Sequence, residues 1–343
     1  MPQRKSPMTY AKAGVDIDAK SEAISSLVKQ LRYRRTGRGK MMDAKGQFTS
    51  LIDFGDVALT LCTDGVGTKL LIAEALDKWD TVGIDCMAMN VNDTICVGAE
   101  PIAFVDYIAL DKPNTKVTEA IGIGLQAGAK MADCEIVGGE IAVLPEMVKG
   151  IDLSGSCLGF VEKDRIVTGK DVEVGDAIIG LPSSGVHSNG MTLARRVLER
   201  SGVALDERMP GLRGSVGEEL LVPTLVYVRQ VLGLLKSTGV TGMVDVTGGG
   251  LRNFVRLKKE VRFDISRPLS PQPIFKLIQE LGGIEDREMY QTFNMGMGFA
   301  LILREDDAKD AVKALGRGAK IVGEVVEGDG VGSSALDLDY SKY

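Results

Sequence analysis

The sequence has little of several residue types that mark common classes of protein. Its 343 residues include one histidine, one tryptophan and five cysteines, and no two cysteines form a C-x-x-C pair. A zinc site or a disulfide framework is therefore not indicated, and we expect buried, reduced thiols. No apolar run approaches the roughly 18 residues of a membrane span, and the first ten residues lack the apolar core of a secretory signal. These features predict a cytoplasmic protein that has no membrane partner.

Positive charge is also in short supply, because 41 basic residues face 47 acidic ones and the formal net charge is -6. This balance opposes binding to nucleic acid, which we exclude as a partner. The P-loop pattern G-x-x-x-x-G-K-[ST] is missing. A loose dinucleotide-like glycine pattern at 122–128 falls inside a predicted helix, so we interpret it as small residues for helix packing.

Glycine is present in excess, with 42 residues against a usual share of roughly 7%. The length suggests two domains at roughly 150 residues each. A polar stretch at 162–175 separates two halves that each mix strands and helices without strict alternation. We therefore predict two α+β domains, residues 1–168 and 169–343.

A candidate phosphate loop lies between a predicted buried strand and a predicted helix. Gly65 and Gly67 can expose backbone N–H groups there, next to the hydroxyl of Thr68. Lys69 can neutralise a phosphate, and Asp64 can hold a divalent cation. A plain tight turn is the alternative for this stretch taken alone.

Further acids and an amide belong to the same half. Asp85 and Asn92 are seven residues apart in a predicted helix and share one face, with Asp93 about 100° further round. Glu140 follows a glycine pair at the predicted end of a short strand. Each of these residues alone is explained by a helix cap or a surface position, but together with Asp64 they indicate a Mg²⁺–polyphosphate site.

The second half contains two more candidate loops. Residues 183–190, Ser-Ser-Gly-Val-His-Ser-Asn-Gly, are dense in hydroxyl, imidazole and amide groups, which favours a loop that faces a ligand over a simple helix cap. Residues 247–250, Thr-Gly-Gly-Gly, form an anion-type loop, or else a hinge. The basic stretch 29–40 is interpreted as a solvated helix end, and a clamp over polyphosphate is its alternative.

These motifs, in this order, resemble the phosphoribosylformylglycinamidine cyclo-ligase family, the aminoimidazole ribonucleotide synthetases. The resemblance spans nearly the whole chain. The matching segments are 13–19, 64–69, 83–85, 90–93, 98–101, 137–140, 183–190, 247–250 and 292–298.

The resemblance implies a homodimer of two α+β domains in which the N-terminal domain forms the dimer and the ATP site. It implies ATP-dependent cyclisation of formylglycinamidine ribonucleotide to aminoimidazole ribonucleotide, with release of ADP and phosphate, in purine biosynthesis. ATP with Mg²⁺ and a small ribonucleotide would be the ligands.

Carried over position by position, the resemblance also implies roles for individual residues. The catalytic residues would be Lys69, Asp64 and His187. ATP or its phosphates would contact Asp64, Gly65, Gly67, Thr68, Lys69, Asp85, Asn92, Asp93 and Glu140. Metal ligands would be Asp64, Asp85, Asp93 and Glu140. The substrate would meet Ser184, Gly185, His187, Ser188, Asn189, Thr247, Gly248 and Gly249.

One departure from the family pattern concerns the residue two positions before Thr247. The family usually has histidine there, whereas this chain has Asp245. The role of that histidine is therefore either lost or taken by an acid. Two other functions remain open at this point: a small-molecule kinase of the same superfamily, and a nucleotide-binding protein without catalytic activity.

Overall fold

The computed structural model describes residues 7–43 and 46–342. The elements of the first half are α1 (Ile17–Gln30), β1 (Ser50–Phe54), β2 (Val57–Gly65), α2 (Leu70–Ala75), α3 (Val82–Ile95), β3 (Glu100–Leu110), α4 (Thr115–Ala132), β4 (Glu135–Val143) and β5 (Ile151–Glu162). Short 3-10 turns cover Gly67–Lys69 and Lys163–Arg165.

The second half has more elements, all shorter than α4. They are β6 (Ala177–Pro182), α5 (Met191–Ser201), α6 (Val216–Leu220), α7 (Val228–Leu235), β7 (Val240–Asp245), a 3-10 turn (Gly250–Arg256), β8 (Arg262–Asp264), α8 (Pro273–Gly282), α9 (Asp286–Thr292), β9 (Met297–Leu303), α10 (Glu305–Leu315), β10 (Lys320–Val326), β11 (Gly330–Ser333) and β12 (Leu338–Tyr340).

Two separate sheets carry this mixture of helices and strands. The first has five strands in the order β1-β2-β5-β3-β4, and the second has seven in the order β12-β11-β8-β10-β6-β9-β7. Strands before residue 163 form only the first sheet, and strands after residue 176 form only the second. The predicted α+β fold class is confirmed, and the exact division at residue 168 stays a prediction.

The two faces of the first sheet differ in what covers them. Cys62 of β2 donates from Sγ to the backbone oxygen of Asn90 at 3.2 Å, so α3 lies over the face that carries Cys62. On the opposite face, Leu61, Val105 and Tyr107 are 51%, 40% and 42% exposed. Apolar side chains on this second face are therefore partly open to solvent.

One predicted helix is only partly present. The pattern predicts a helix over 221–236, but α7 begins only at Val228, and α6 ends at Leu220. Pro223 has no N–H to donate to a helix. Side chains of α3 and of Lys69 hydrogen-bond the backbone groups around it. The intervening segment therefore has no regular secondary structure and is held by tertiary hydrogen bonds.

Other expectations can be compared with the described residues. Residues 122–128 lie inside α4, which packs on α3, so the interpretation as helix packing is confirmed. All five cysteines are free thiols, four of them buried and Cys62 half-buried. Among the helices built from residues 7–43 and 46–342, none has the length and apolar character needed to cross a membrane.

Candidate functional site

A cavity of about 200 Å³ lies where the N-terminal arm, which we define as residues 7–30, meets loops from both halves of the chain. Five of the predicted site residues line it together: Asp64, Asp93, Asn189, Thr247 and Gly248. The rest of the lining comprises Tyr10, Val15, Lys20, Ser21, Ile24 and Arg256. The phosphate loop, the loop at 183–190 and the glycine loop thus each contribute at least one residue to a single site.

Asn90 fixes Asp64 at the end of β2. The Asp64 N–H donates to Asn90 Oδ1 at 2.9 Å, and Asn90 Nδ2 donates back to the Asp64 backbone oxygen at 3.2 Å. The same Nδ2 donates to the Cys86 backbone oxygen at 2.9 Å within α3. Asp93 follows Asn90 by three residues on α3, so one buried amide orients the strand end beside the helix that carries the second acid.

Desolvation and mutual repulsion shape the charges of these acids. Burial raises the pKa of Asp93 well above its usual range, the charge of Asp64 raises it further, and Arg256 opposes the shift. The surface of Asp64 is partly exposed, yet the atoms around it limit its hydration and raise its pKa. The hydrogen bond from the Gly65 N–H and the charge of Lys20 lower the pKa and partly offset this effect. Two crowded carboxylates of this kind favour a bound cation, which would lower both pKa values.

Asp245 ends β7 two residues before Thr247 and is 3% exposed. Burial raises the pKa of its carboxyl well above the usual range, and the charges of Asp93 and Asp64 raise it further. The position at which the resemblance implies histidine is therefore a buried acid, whose ionisation is disfavoured by burial and by the neighbouring carboxylates.

Two of the predicted metal ligands point elsewhere. Asp85 is fully buried against Lys69. Glu140 lies within β4 rather than at its predicted end, and it pairs with Tyr107 on the open face of the first sheet. In the part of the chain that the structure describes, no three His, Cys, Asp or Glu side chains are grouped to hold a metal ion. The four-acid metal site stays a prediction, and the geometry brings only Asp64 and Asp93 to the cavity.

Two side chains of the candidate phosphate loop, Thr68 and Lys69, bond to other parts of the protein and not to the cavity. Lys69 Nζ donates to Asp85 Oδ1 at 2.9 Å and to the Val222 backbone oxygen at 2.8 Å. Thr68 Oγ1 lies 2.9 Å from Thr192 Oγ1 of α5. Lys69, Asp85 and Thr68 thus contact protein groups, and they do not line the cavity.

Two predicted glycines of this loop and one amide of α3 are also outside the cavity lining. Gly67 opens the 3-10 turn with a φ of +68°, a backbone conformation that glycine adopts readily. Gly65 ends β2. Asn92 is buried and bonds to the segment that precedes α7.

The loop at 183–190 presents Asn189 to the cavity and buries its imidazole. His187 is 5% exposed, and its Nε2 accepts the Ser184 N–H at 3.2 Å. Burial, helped by the charge of Lys69, lowers the pKa of His187 to about 3, so the imidazole is neutral at physiological pH. The buried hydroxyl of Ser188 has no hydrogen-bond partner within the described structure.

The remaining predicted substrate contacts support the loops. Ser184 Oγ donates to the Pro223 backbone oxygen at 2.5 Å, and the Gly185 backbone oxygen accepts from Asn294 Nδ2 at 2.9 Å. Gly249 is buried directly before the 3-10 turn. These positions do not line the cavity.

The sequence analysis missed the N-terminal wall of the cavity and the role of Arg256. The Tyr10 N–H donates to Glu288 Oε1 at 2.6 Å and the Met8 N–H to the Gly282 backbone oxygen at 3.3 Å, which fastens the arm to the second domain. Arg256 donates to the backbone oxygen of Gln47 at 2.9 Å. The only sequence signal for this wall was the matching segment 13–19.

The comparisons with known proteins agree with this two-part organisation. The N-terminal domain model of AIR synthase related proteins matches residues 47–161, and the C-terminal domain model matches residues 173–335. A phosphoribosylformylglycinamidine cyclo-ligase from Methanosarcina barkeri is 50% identical over 93% of this chain and 95% of its own length. The corresponding protein from Methanothermobacter thermautotrophicus is 46% identical, with the same two coverages.

Solved structures show the same fold at low identity. A ThiL protein solved with AMPPCP and TMP has a TM-score of 0.67 and 18% identity, and the match covers 95% of this chain and 97% of that one. Escherichia coli HypE has a TM-score of 0.61 and 20% identity, and the match covers 83% of this chain and 85% of that one.

Proposed function

The chain belongs to the AIR synthase related protein family, and from that membership we propose that it performs the reaction for which its curated relatives are named. It is an ATP-dependent ligase of purine biosynthesis that converts formylglycinamidine ribonucleotide to aminoimidazole ribonucleotide with release of ADP and phosphate. Identities of 46–50% over 93% of the chain support this assignment.

One structural observation carries the assignment to a site. Asp64, Asp93 and the cations Lys20 and Arg256 line the same small cavity between the arm and the two domains. Mixed charge of this kind suits a phosphate chain together with the divalent ion that accompanies it. At about 200 Å³ the cavity is smaller than the roughly 300–1,000 Å³ of a typical ligand site. It therefore accommodates the reacting phosphates rather than the whole of ATP and the ribonucleotide.

The chemistry requires activation of a poor leaving group, the oxygen of an amide. The formyl oxygen of the substrate attacks the γ-phosphorus of ATP and ADP departs. The ring nitrogen then bonds to the activated carbon, and the oxygen leaves as phosphate. A Mg²⁺ ion, when bound, would supply neutralisation of phosphate charge, and Asp64 and Asp93 are the residues that would hold it.

The protein's own groups supply position and charge. Lys20 and Arg256 stabilise negative charge on the phosphates, and the backbone of Gly248 approaches closely because it has no side chain. A Cβ added to Gly248 would lie 2.8 Å from Asn189 Oδ1, so the loop at 247–250 packs directly against the side-chain amide of Asn189. No covalent enzyme nucleophile is required, which agrees with a buried, neutral His187.

A homodimer formed by the N-terminal domain is part of the proposal. The open face of the first sheet presents Leu61 on β2 and Val105 and Tyr107 on β3, the two strands that flank β5. Contiguous exposed apolar surface of this type marks protein interfaces. We expect light scattering to give twice the 36.7 kDa chain mass. Tyr107→Glu should give a monomer, and Ile123→Glu, on the exposed face of α4, should remain a dimer.

The cytoplasm is the proposed location, because all five cysteines are free thiols and four of them are buried.

The decisive experiment measures ADP release with Mg-ATP in the presence and absence of formylglycinamidine ribonucleotide, with the aminoimidazole product followed in parallel. Equal yields of ADP and aminoimidazole ribonucleotide, dependent on the substrate, are expected. A phosphorylated product without ring closure would assign the chain to a kinase instead. ATP binding without turnover would assign it to a binding protein.

A further inference from the structure

A segment without regular secondary structure, residues 222–227, lies between the two domains and is held by side chains of the first. Lys69 Nζ donates to the Val222 backbone oxygen at 2.8 Å. Asp85 Oδ1 accepts from Thr224 twice, from the N–H at 2.8 Å and from Oγ1 at 2.6 Å. The backbone groups that a helix would have satisfied internally are thus bonded to one buried ion pair.

Asn92 holds the other end of the same segment. Its Nδ2 donates to the Leu225 backbone oxygen at 2.8 Å, and its Oδ1 accepts the Tyr227 N–H at 3.0 Å. Asp85 and Asn92 are on one face of α3, so a single helix face grips the segment at two points.

The far side of the segment contacts the loop at 183–190. Ser184 Oγ donates to the Pro223 backbone oxygen at 2.5 Å, and the Tyr227 hydroxyl donates to the Pro182 backbone oxygen at 2.9 Å. Gly298 leaves the space that Tyr227 and His187 share, because a Cβ there would be 2.7 Å from His187 Cε1. The segment therefore connects the ion pair to the loop that presents Asn189.

Burial of this ion pair is not explained by stability. Lys69 and Asp85 are both 0% exposed, and the second carboxylate oxygen of Asp85 is buried and has no hydrogen-bond partner among the described residues. The desolvation of two charges commonly offsets their attraction, so apolar side chains would stabilise such a site equally well. A charged pair, unlike apolar side chains, supplies directional hydrogen bonds that can fix the position of a segment.

We propose that Lys69 and Asp85 are positioning residues that set the loop at 183–190 against the Asp64–Asp93 wall by holding the 222–227 segment. They act through that segment and touch neither ATP nor the ribonucleotide. This inference rests on the proposed function in one respect, namely that Asn189 and its loop face the ribonucleotide.

The primary test is kinetic and uses Thr224→Val, which removes one bond to Asp85 and preserves the shape of the side chain and the ion pair. Lys69→Met is the stronger variant. Arg304→Met is the matched control, because it breaks an ion pair with buried Asp176 that lies in the second domain away from these loops.

We expect kcat/KM for the ribonucleotide to fall about tenfold in Thr224→Val and about a hundredfold in Lys69→Met, since small displacements at a reacting centre have effects of this size. The KM for Mg-ATP should change less than twofold, and Arg304→Met should match wild type. Wild-type kcat/KM in both variants overturns the proposal, and so does an equal rise of both KM values.

A second readout is independent of activity and keeps the test decisive if Lys69→Met does not fold. The chain contains one histidine, so the imidazole signals of His187 in an NMR spectrum are unambiguous. The signals should shift in Thr224→Val and not in Arg304→Met. Unshifted signals in Thr224→Val overturn the positioning role. If wild type closes no ring, the proposed function fails, while this comparison still decides whether the segment positions the loop.

Discussion

Gly83 and Gly124 bring α3 and α4 into contact at the level of their backbones. A Cβ on Gly124 would lie 2.9 Å from the Gly83 nitrogen and 2.7 Å from the Asp80 backbone oxygen. Because α3 carries Asp85, Asn92 and Asp93, this contact fixes the helix that supplies three predicted site residues.

Gly124→Ala is therefore expected to destabilise the fold by about 1–3 kcal/mol, the usual effect of overpacking. Gly122→Ala is the matched control two residues away, where an added Cβ meets nothing within 4 Å. It should be neutral or stabilising by about 0.5–1 kcal/mol, since alanine favours helix. Urea denaturation of both variants measures the difference, and equal stabilities would contradict the close approach.

Asp93→Asn should remove most of the turnover. The charge of Asp93 faces the cavity, and the loss of one group that acts at the reacting phosphates reduces kcat by about 10²-fold. Initial rates of ADP release at saturating Mg-ATP measure this. Glu119→Gln, on the exposed surface of α4, is the control and should retain the wild-type rate. A wild-type rate in Asp93→Asn would remove this acid from the site.

Asp245→Asn should stabilise the ligand-free protein, and more at pH 8 than at pH 5. Burial and the nearby acids raise the pKa of Asp245 in the folded state, so the unfolded state loses this proton at lower pH than the folded state does. The cost of ionising the buried carboxyl therefore grows with pH and is absent below the unfolded pKa. Denaturation at the two pH values tests this, with exposed Asp310→Asn as the control. A gain that is independent of pH would contradict the expectation.

The His187 imidazole should not titrate between pH 8 and pH 5. Its folded pKa is lowered to about 3, whereas the unfolded chain takes up the proton near pH 6.5. The contribution to stability is thus fully present above pH 6.5 and is lost as the pH falls toward 3.

His187→Asn is the suitable comparison, because asparagine tolerates the positive φ of 64° at this position. The variant should lose the part of the pH dependence that lies below 6.5. A chemical-shift titration of wild type with a midpoint near 6.5 would show that the imidazole is hydrated instead.

Secondary structure could be predicted from the sequence wherever the local residue pattern and the tertiary environment favour the same conformation. A strand, a glycine turn and a helix around Asp64 are present as predicted, although the strand is open on one face rather than buried. The predicted polar face of α3 is also present. Residue type and spacing identify such features because strands and helices each have a characteristic period along the sequence.

Three features could not be predicted from local sequence pattern. The direction of the Lys69 side chain depends on Asp85 and Val222, which are 16 and 153 residues away. The first part of the predicted helix at 221–236 is not helical for the same reason, since its backbone groups bond to partners in another domain. Tyr10 was missed because the segment before α1 has no periodicity, and only its hydrogen bond to Glu288 shows where it lies. Lys20 was missed because its place on α1 gives no local signal of a ligand site.

The attachment of Tyr10 to Glu288 has a consequence for the order of events during synthesis. The first sheet is complete once residue 162 has left the ribosome, and domains generally fold in the order of their synthesis. The arm, however, finds its hydrogen-bond partner only more than a hundred residues later. A nascent chain therefore carries Asp64 and Asp93 well before Tyr10 can reach Glu288, so Tyr10 takes its final place long after the first sheet that follows it in the chain.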